Sequence, residues 1–155
     1  MNDRRTDVSA LSDPAEHLAL ALTQGGMQRM TARVLAALLF TEQDTLTAGE
    51  IAESLTISSG SVSTALKALV SVGLIEKVPA PGSRREHFRF REGAWATLMS
   101  EQNQLVKVMR EAAEQGIAVT GRDSAAGRRL AEMRDFYDYL WRELPALIDH
   151  WKAHR

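Results

Sequence analysis

Cysteine is absent from the 155 residues. That excludes a disulfide scaffold, a thiolate zinc site and a thiol redox switch. Neither sign of charge dominates: 19 Lys and Arg stand against 20 Asp and Glu, so global charge announces no nucleic-acid partner. No apolar run approaches the length of a membrane span. The start "MNDRRTDVSALSD" lacks the apolar core of a signal peptide, so the expected location is the cytoplasm, with no membrane partner. There is no G-x-S-x-G, no P-loop and no clustered Ser, His and Asp. "GRDSAAG" reads as a turn and a helix start. The expectation is therefore no enzyme and no cofactor. His150 and His154 have the i, i+4 spacing of a metal pair, but nothing supports the pair and both sit at a terminus. They read as solvated, with no metal.

What is present is ordinary for a globular chain, at 45% hydrophobic and 25% charged residues. Residues 1–12 are polar and expected to fray. "SDPAEHLALALTQ" begins a helix, with Ser12 or Asp13 as cap, Pro14 in the first turn and Glu16 at the positive dipole end. Gly25 and Gly26 stop it. "MTARVLAALLF" is apolar nearly all round, so it should be central. "LTAGEIAESL" is a short helix capped by Thr47, with Glu50 placed for a capping box. "LIEKV" and "REHFRFR" alternate in the manner of strands. The "PAPGSR" between them makes a turn-rich tip. A helix follows from Trp95 to about Thr120, with Trp95, Leu98, Gln102, Leu105, Met109 and Ala112 on its expected apolar side. The last helix opens near Asp123 or Ser124. Its apolar residues Leu130, Met133, Tyr137, Leu140, Leu144, Leu147 and Trp151 are spaced 3-4-3-4-3-4, a heptad seam that calls for a partner helix. Pro145 predicts a kink or break near Trp141–Leu144.

"SSGSVSTALKALVSVGLIEKV", Ser58 to Val78, is the informative stretch. On a helical wheel Val62, Ala65, Leu66, Leu69 and Gly73 fall on one side. Gly60, Ser63, Thr64, Lys67 and Ser71 fall opposite. A solvated face usually carries Glu, Lys and Gln. This one is kept short, as a helix entering a DNA major groove requires. Small hydroxyls and the free N–H groups of the helix start can donate to phosphate, and Lys67 can reach another. Ser83, Arg84 and Arg85 sit at the hairpin tip, where arginine can reach the minor groove or its backbone. From Arg84 to Arg91 there are four arginines against one glutamate.

The predicted fold is mainly α (α+β): a winged helix-turn-helix with a two-stranded wing, flanked by N- and C-terminal dimerisation helices. The expected divisions are a flexible start at 1–12, an N-terminal helix of a dimer lobe at 13–28, the winged DNA-binding domain at 29–92 and C-terminal dimerisation helices at 93–155. A winged helix that grips protein rather than DNA is the alternative. Aromatics gather in the last helix, and Tyr137 and Trp141 are candidates to line an effector pocket by cation–π or apolar contact.

The segments "GMQRMTARVLAALL", "LTAGEIAESLTISSGSVSTALKALVSVGLIEKV", "PGSRREHFRF" and "RLAEMRDFYDYLWRELPALIDHW" resemble the MarR-type winged-helix transcriptional regulators. Within them the chain looks most like the branch of the glycine-betaine synthesis regulator, although members often have proline where Gln28 stands. The resemblance implies a homodimer on a palindromic double-stranded DNA operator. It implies recognition-helix roles for Ser58, Ser59, Ser61, Ser63, Thr64 and Lys67, and wing roles for Arg84 and Arg85. The resulting expectation is a repressor answering to a small molecule.

Overall fold

The computed structural model describes residues 11–155. The expected frayed start lies outside the described residues as far as residue 10. Leu11 packs against a small cluster of Ala15, Ala19, Ala32 and Ala36. The chain forms two compact units, one ending at Ala94 and the other running Trp95–Arg155.

The first unit begins with α1 (Asp13–Gln24) and α2 (Arg29–Phe40). Pro14 stands in the first turn of α1, and Ser12 is its N-cap without a side-chain cap bond. In α2 the N-cap is Gln28, whose Oε1 accepts the Thr31 N–H at 3.0 Å. Six of its twelve residues are buried, Ala32 and Val34 through Leu38, as its near-uniform apolarity requires. After it come β1 (Leu46–Thr47), α3 (Ala48–Leu55), α4 (Ser59–Ser71), β2 (Ile75–Val78) and β3 (His87–Phe90), and α2 packs on α1, α3, α4 and β3. Val34, Leu35, Ile51, Val62, Leu69, Leu74 and Ile75 are fully enclosed and form the core.

The wing is the expected two-stranded hairpin, β2 with β3, and β1 adds a third strand beside it to give an antiparallel sheet in the order β1-β3-β2. β1 is only two residues long, too short to show alternation. It hands the chain directly to Thr47, the N-cap of α3.

The second unit is a helical hairpin, α5 (Ala94–Thr120) and α6 (Ala125–Ala153). Gly121, at φ +81°, ends α5, and Ser124 caps α6 by accepting the Gly127 N–H at 2.9 Å. Gly116 lies under Leu130. Arg110 pairs with Asp138 at 3.3 Å and Arg134 with Glu114 at 3.5 Å. The Arg134 pKa is raised by its hydrogen bond to Asp135, with Glu114 adding to the effect. α6 runs without a break through Pro145, where the donor to the Trp141 carbonyl is lost.

The inner face of α5 also differs from expectation. Ala96, Val106, Ala113 and Ile117 are buried, whereas Leu105 is 62% exposed, and Gln102 and Ala112 are exposed too. The helix carries two apolar stripes; of the expected one, Leu98 and Met109 are half-buried and the rest is exposed.

Gly127 is buried where a Cβ would overlap the Gly121 carbonyl oxygen. Backbone cannot yield as a side chain can. Gly127→Ala is therefore expected to lower stability by about 1–3 kcal/mol, read as a shifted urea midpoint with unchanged slope.

Candidate nucleic-acid interface

The turn between α3 and α4 aims the second helix. Thr47 Oγ1 accepts the Glu50 N–H at 3.2 Å and Glu50 Oε2 accepts the Thr47 N–H at 2.7 Å, a complete capping box. α3 stops at Thr56, which holds the left-handed conformation at φ 52°. The Ile57 N–H then closes on the Ala52 carbonyl at 3.1 Å. A β-branched residue is strained in that region, so the sharp turn is held by its surroundings. Ser58 opens α4: its Oγ accepts the Ser61 N–H at 3.1 Å and donates to Ser61 Oγ at 2.9 Å. Gly73, at φ +76°, closes the helix, with the Leu74 N–H on the Leu69 carbonyl at 3.1 Å.

The helical wheel holds. Val62, Ala65, Leu66 and Leu69 are at most 3% exposed, while Ser59, Gly60, Ser63, Thr64 and Lys67 face out. The hydroxyls divide by their bonding. Ser58 and Ser61 are engaged in the cap, and Thr64 Oγ1 donates back to the Gly60 carbonyl at 3.0 Å. Ser59 and Ser63 have no hydrogen-bond partner for their hydroxyls among the described residues. They remain free to donate to a ligand.

The cations divide the same way. Lys77 pairs with Glu86 at 3.0 Å and Arg89 with Glu76 at 2.8 Å, across the two wing strands. Such exposed pairs stabilise by ~0–1 kcal/mol, but they cancel charge locally. Lys67, Arg84 and Arg85 are exposed and have no ion-pair partner among the described residues. They are the uncompensated positive charges of the helix and the wing tip.

A concave cleft of about 520 Å³ lies between the start of α3, the outer side of α4 and the inner side of the wing. Its wall brings together Ser63, Lys67 and Arg85, with Thr47, Gly49 and Lys77 beside them. Thus the structure joins three expected residues from two stretches of sequence, α4 and the wing tip, on one surface. Ser83 and Arg84 lie at the tip beyond it. Sequence reasoning missed Thr47, Gly49 and Lys77 because nothing local marks them; proximity comes from the sheet register. His87, which the sequence offers as a DNA-side or packing residue of the second wing strand, bonds to Ser83 at the tip.

The aromatic group in α6 is placed differently. The Arg110 guanidinium lies 5.5 Å from the Trp141 ring centroid, so that face is occupied by a protein cation. Tyr137 meets Phe136 edge-on at 5.4 Å. Neither Tyr137 nor Trp141 lines the apolar hollow of this unit, a cavity of about 520 Å³ walled by Trp95, Met99, Leu144, Leu147, Ile148 and Trp151. His150 and His154 stack at 4.2 Å, with His154 Nδ1 donating to the His150 carbonyl at 2.7 Å. No group of three or more metal-ligating side chains occurs among the described residues.

A helix pair joined by a tight turn, with a small-faced second helix beside a basic three-stranded wing, defines a winged helix-turn-helix protein. Comparison with known proteins agrees. Residues 25–86 match the MarR family, and residues 93–154 match a description of MmpR5-like MarR family transcriptional regulators. A curated relative, the HTH-type transcriptional regulator MmpR5 of Mycobacterium tuberculosis, is 32% identical over 115 residues, 74% of this chain and 70% of that protein. A crystal structure described as a transcriptional regulator superposes with a TM-score of 0.76 at 27% identity, covering 90% of this chain and 95% of that one. The chain belongs to the MarR family, whose members are DNA-binding transcriptional regulators.

The split among the hydroxyls has a measurable consequence. Ser58→Ala should lower stability by about 1 kcal/mol through loss of the cap. Ser63→Ala should leave the denaturation midpoint unchanged and weaken DNA binding alone. Paired denaturation and binding titrations of the two variants check this.

Proposed function

We propose that the protein is a sequence-specific, homodimeric repressor whose α4 enters the major groove while Arg84 and Arg85 of the wing contact the flanking backbone or minor groove. The observation that carries the reading is the shared cleft wall of Ser63, Lys67 and Arg85, where Lys67 and Arg85 have no ion-pair partner among the described residues while Lys77 on the same wall pairs with Glu86. A strand of duplex backbone is the polyanion that such a surface fits. The protein-binding alternative leaves those free cations without a purpose.

Dimerisation is supported by the apolar surface of the helical unit. Leu105, Val108, Val119, Phe136, Tyr139, Leu147 and Trp151 are all at least 49% exposed. That much large apolar surface needs cover, and the heptad seam ending in Leu147 and Trp151 suits a second copy. Small-molecule control is proposed on the apolar hollow walled by Trp95, Met99 and Trp151, with Tyr137 and Trp141 as further candidates. The C-terminal match favours the MmpR5-like branch; the glycine-betaine resemblance rests on the residue patterns quoted above. No helix among the described residues is long and apolar enough to cross a membrane, and a cytoplasmic site of action is proposed.

The test is a mobility shift on the DNA upstream of the protein's own gene, supplemented by duplexes selected from a random pool. Wild type should bind with a steep salt dependence. Lys67→Ala, Arg84→Ala, Arg85→Ala together should flatten the log–log slope by about 0.9 for each phosphate contact removed. Selection that enriches no sequence, or binding indifferent to the triple substitution, contradicts the reading. A companion prediction concerns assembly: Leu147→Glu should move the sedimenting species from twice the chain mass to the chain mass and weaken operator binding with it.

A further inference from the structure

Residues 79–86 form the wing tip beyond the last ladder pair, Val78 with His87. The tip is exposed almost throughout and carries Gly82 at φ +80°. Within it only Ala80 is half-buried. Its internal bonding is slight: the Ser83 N–H donates to the Ala80 carbonyl at 3.0 Å, and the Arg85 N–H to Ser83 Oγ at 3.2 Å. The Lys77–Glu86 pair ties one flank and is solvated.

A second side chain links this tip to the body. His87 is the first residue of β3, the central strand, and pairs with Thr47 on one side and Val78 on the other. Its Nε2 lies 3.1 Å from Ser83 Oγ, and its Nδ1 lies 2.9 Å from Thr45 Oγ1. Thr45 belongs to the segment leading into β1 and α3. Hence a hydroxyl–imidazole–hydroxyl chain runs from the approach to α3 out to Ser83, whose oxygen also holds the Arg85 amide. A hydroxyl can donate or accept, so either imidazole tautomer completes the chain.

We infer that His87 is a positioning residue for DNA binding: it latches Ser83 to Thr45 and so fixes Arg84 and Arg85 in register with the outer face of α4. Fixing the tip before contact removes part of the ordering cost that a free arginine loop meets on binding. The inference rests on the wing being a DNA contact, and it deepens that reading.

The two ring nitrogens can be tested separately. Glutamine places a polar atom near the Nε2 position and asparagine near the Nδ1 position. His87→Gln therefore keeps the Ser83 arm, and His87→Asn keeps only the Thr45 arm. Two readouts are needed. The first, amide hydrogen exchange in the free protein, requires no DNA. The Arg85 amide should be protected in wild type and His87→Gln, and exchange faster in His87→Asn and Ser83→Ala. The second is binding to a duplex selected from a random pool. His87→Asn should bind about fivefold to tenfold more weakly than wild type, with a flatter salt slope, while His87→Gln, which holds Ser83 but has lost Thr45, recovers only part of the affinity. In a Ser83→Ala background His87→Asn should add no further loss. Wild-type exchange and affinity in His87→Asn, or additive losses in the double variant, overturn the latch. If wild type enriches no duplex, the proposed function falls, and the exchange result alone still decides whether the latch exists.

Discussion

The packing of Val62, Ala65, Leu66 and Leu69 onto the neighbouring helices sets the rest of the arrangement. Each is at most 3% exposed, and burying a large aliphatic side chain is worth roughly 1.5–3 kcal/mol. Rotating α4 about its axis by one position would expose that stripe, so its azimuth is fixed. Everything opposite is then presented outward by necessity: Ser59, Ser63 and Lys67 face solvent because their neighbours do not. The short outer face costs the fold little, since a surface serine does almost no structural work. Its composition is free to answer to whatever approaches.

The wing depends on the same core from the other side. Leu74 and Ile75 are buried at the start of β2, and Phe88 is buried in β3. These anchor the hairpin base beside α4 and leave the tip with little apolar support. Polar contacts must then hold the tip, and they run through His87 and the Lys77–Glu86 pair. The surface cations fall into two populations for a related reason. Arg89 lies directly opposite Glu76 on the strands, and Lys77 reaches Glu86 just beyond the last ladder pair, so both are neutralised. Lys67, Arg84 and Arg85 lie on the outer helix face and the turn, where no carboxylate is in register.

Much of the winged unit was legible because its elements are locally complete. The Thr47–Glu50 box, the Ser58 start, Gly73 and the alternation of the hairpin strands each carry their own signal. The third strand was not legible, since two residues cannot show a period. The α5 stripe misled because Trp95, Leu105 and Met109 fit a helical template as well as Ala96, Val106 and Ala113 do. Where both faces are apolar, only packing against α6 decides which is inside. Pro145 predicted a kink or break; the helix is not broken, since a long helix tolerates one missing donor. The Thr45–His87 bond joins residues 42 positions apart, so no local pattern could announce it. Of the expected reading residues, spacing identified which face outward, but it could not tell that Ser58 and Thr64 are bonded within the helix while Ser59 and Ser63 are not.

The central claim is that α4 and the wing together read one half-site, and that two copies read a site with two-fold symmetry. Hydroxyl-radical footprinting on a duplex selected from a random pool tests it most directly. The account predicts two protected patches centred one helical turn apart, ~34–36 Å, each with a major-groove core and a flanking backbone contact. A single patch, or two whose separation is not a whole number of turns, would contradict it.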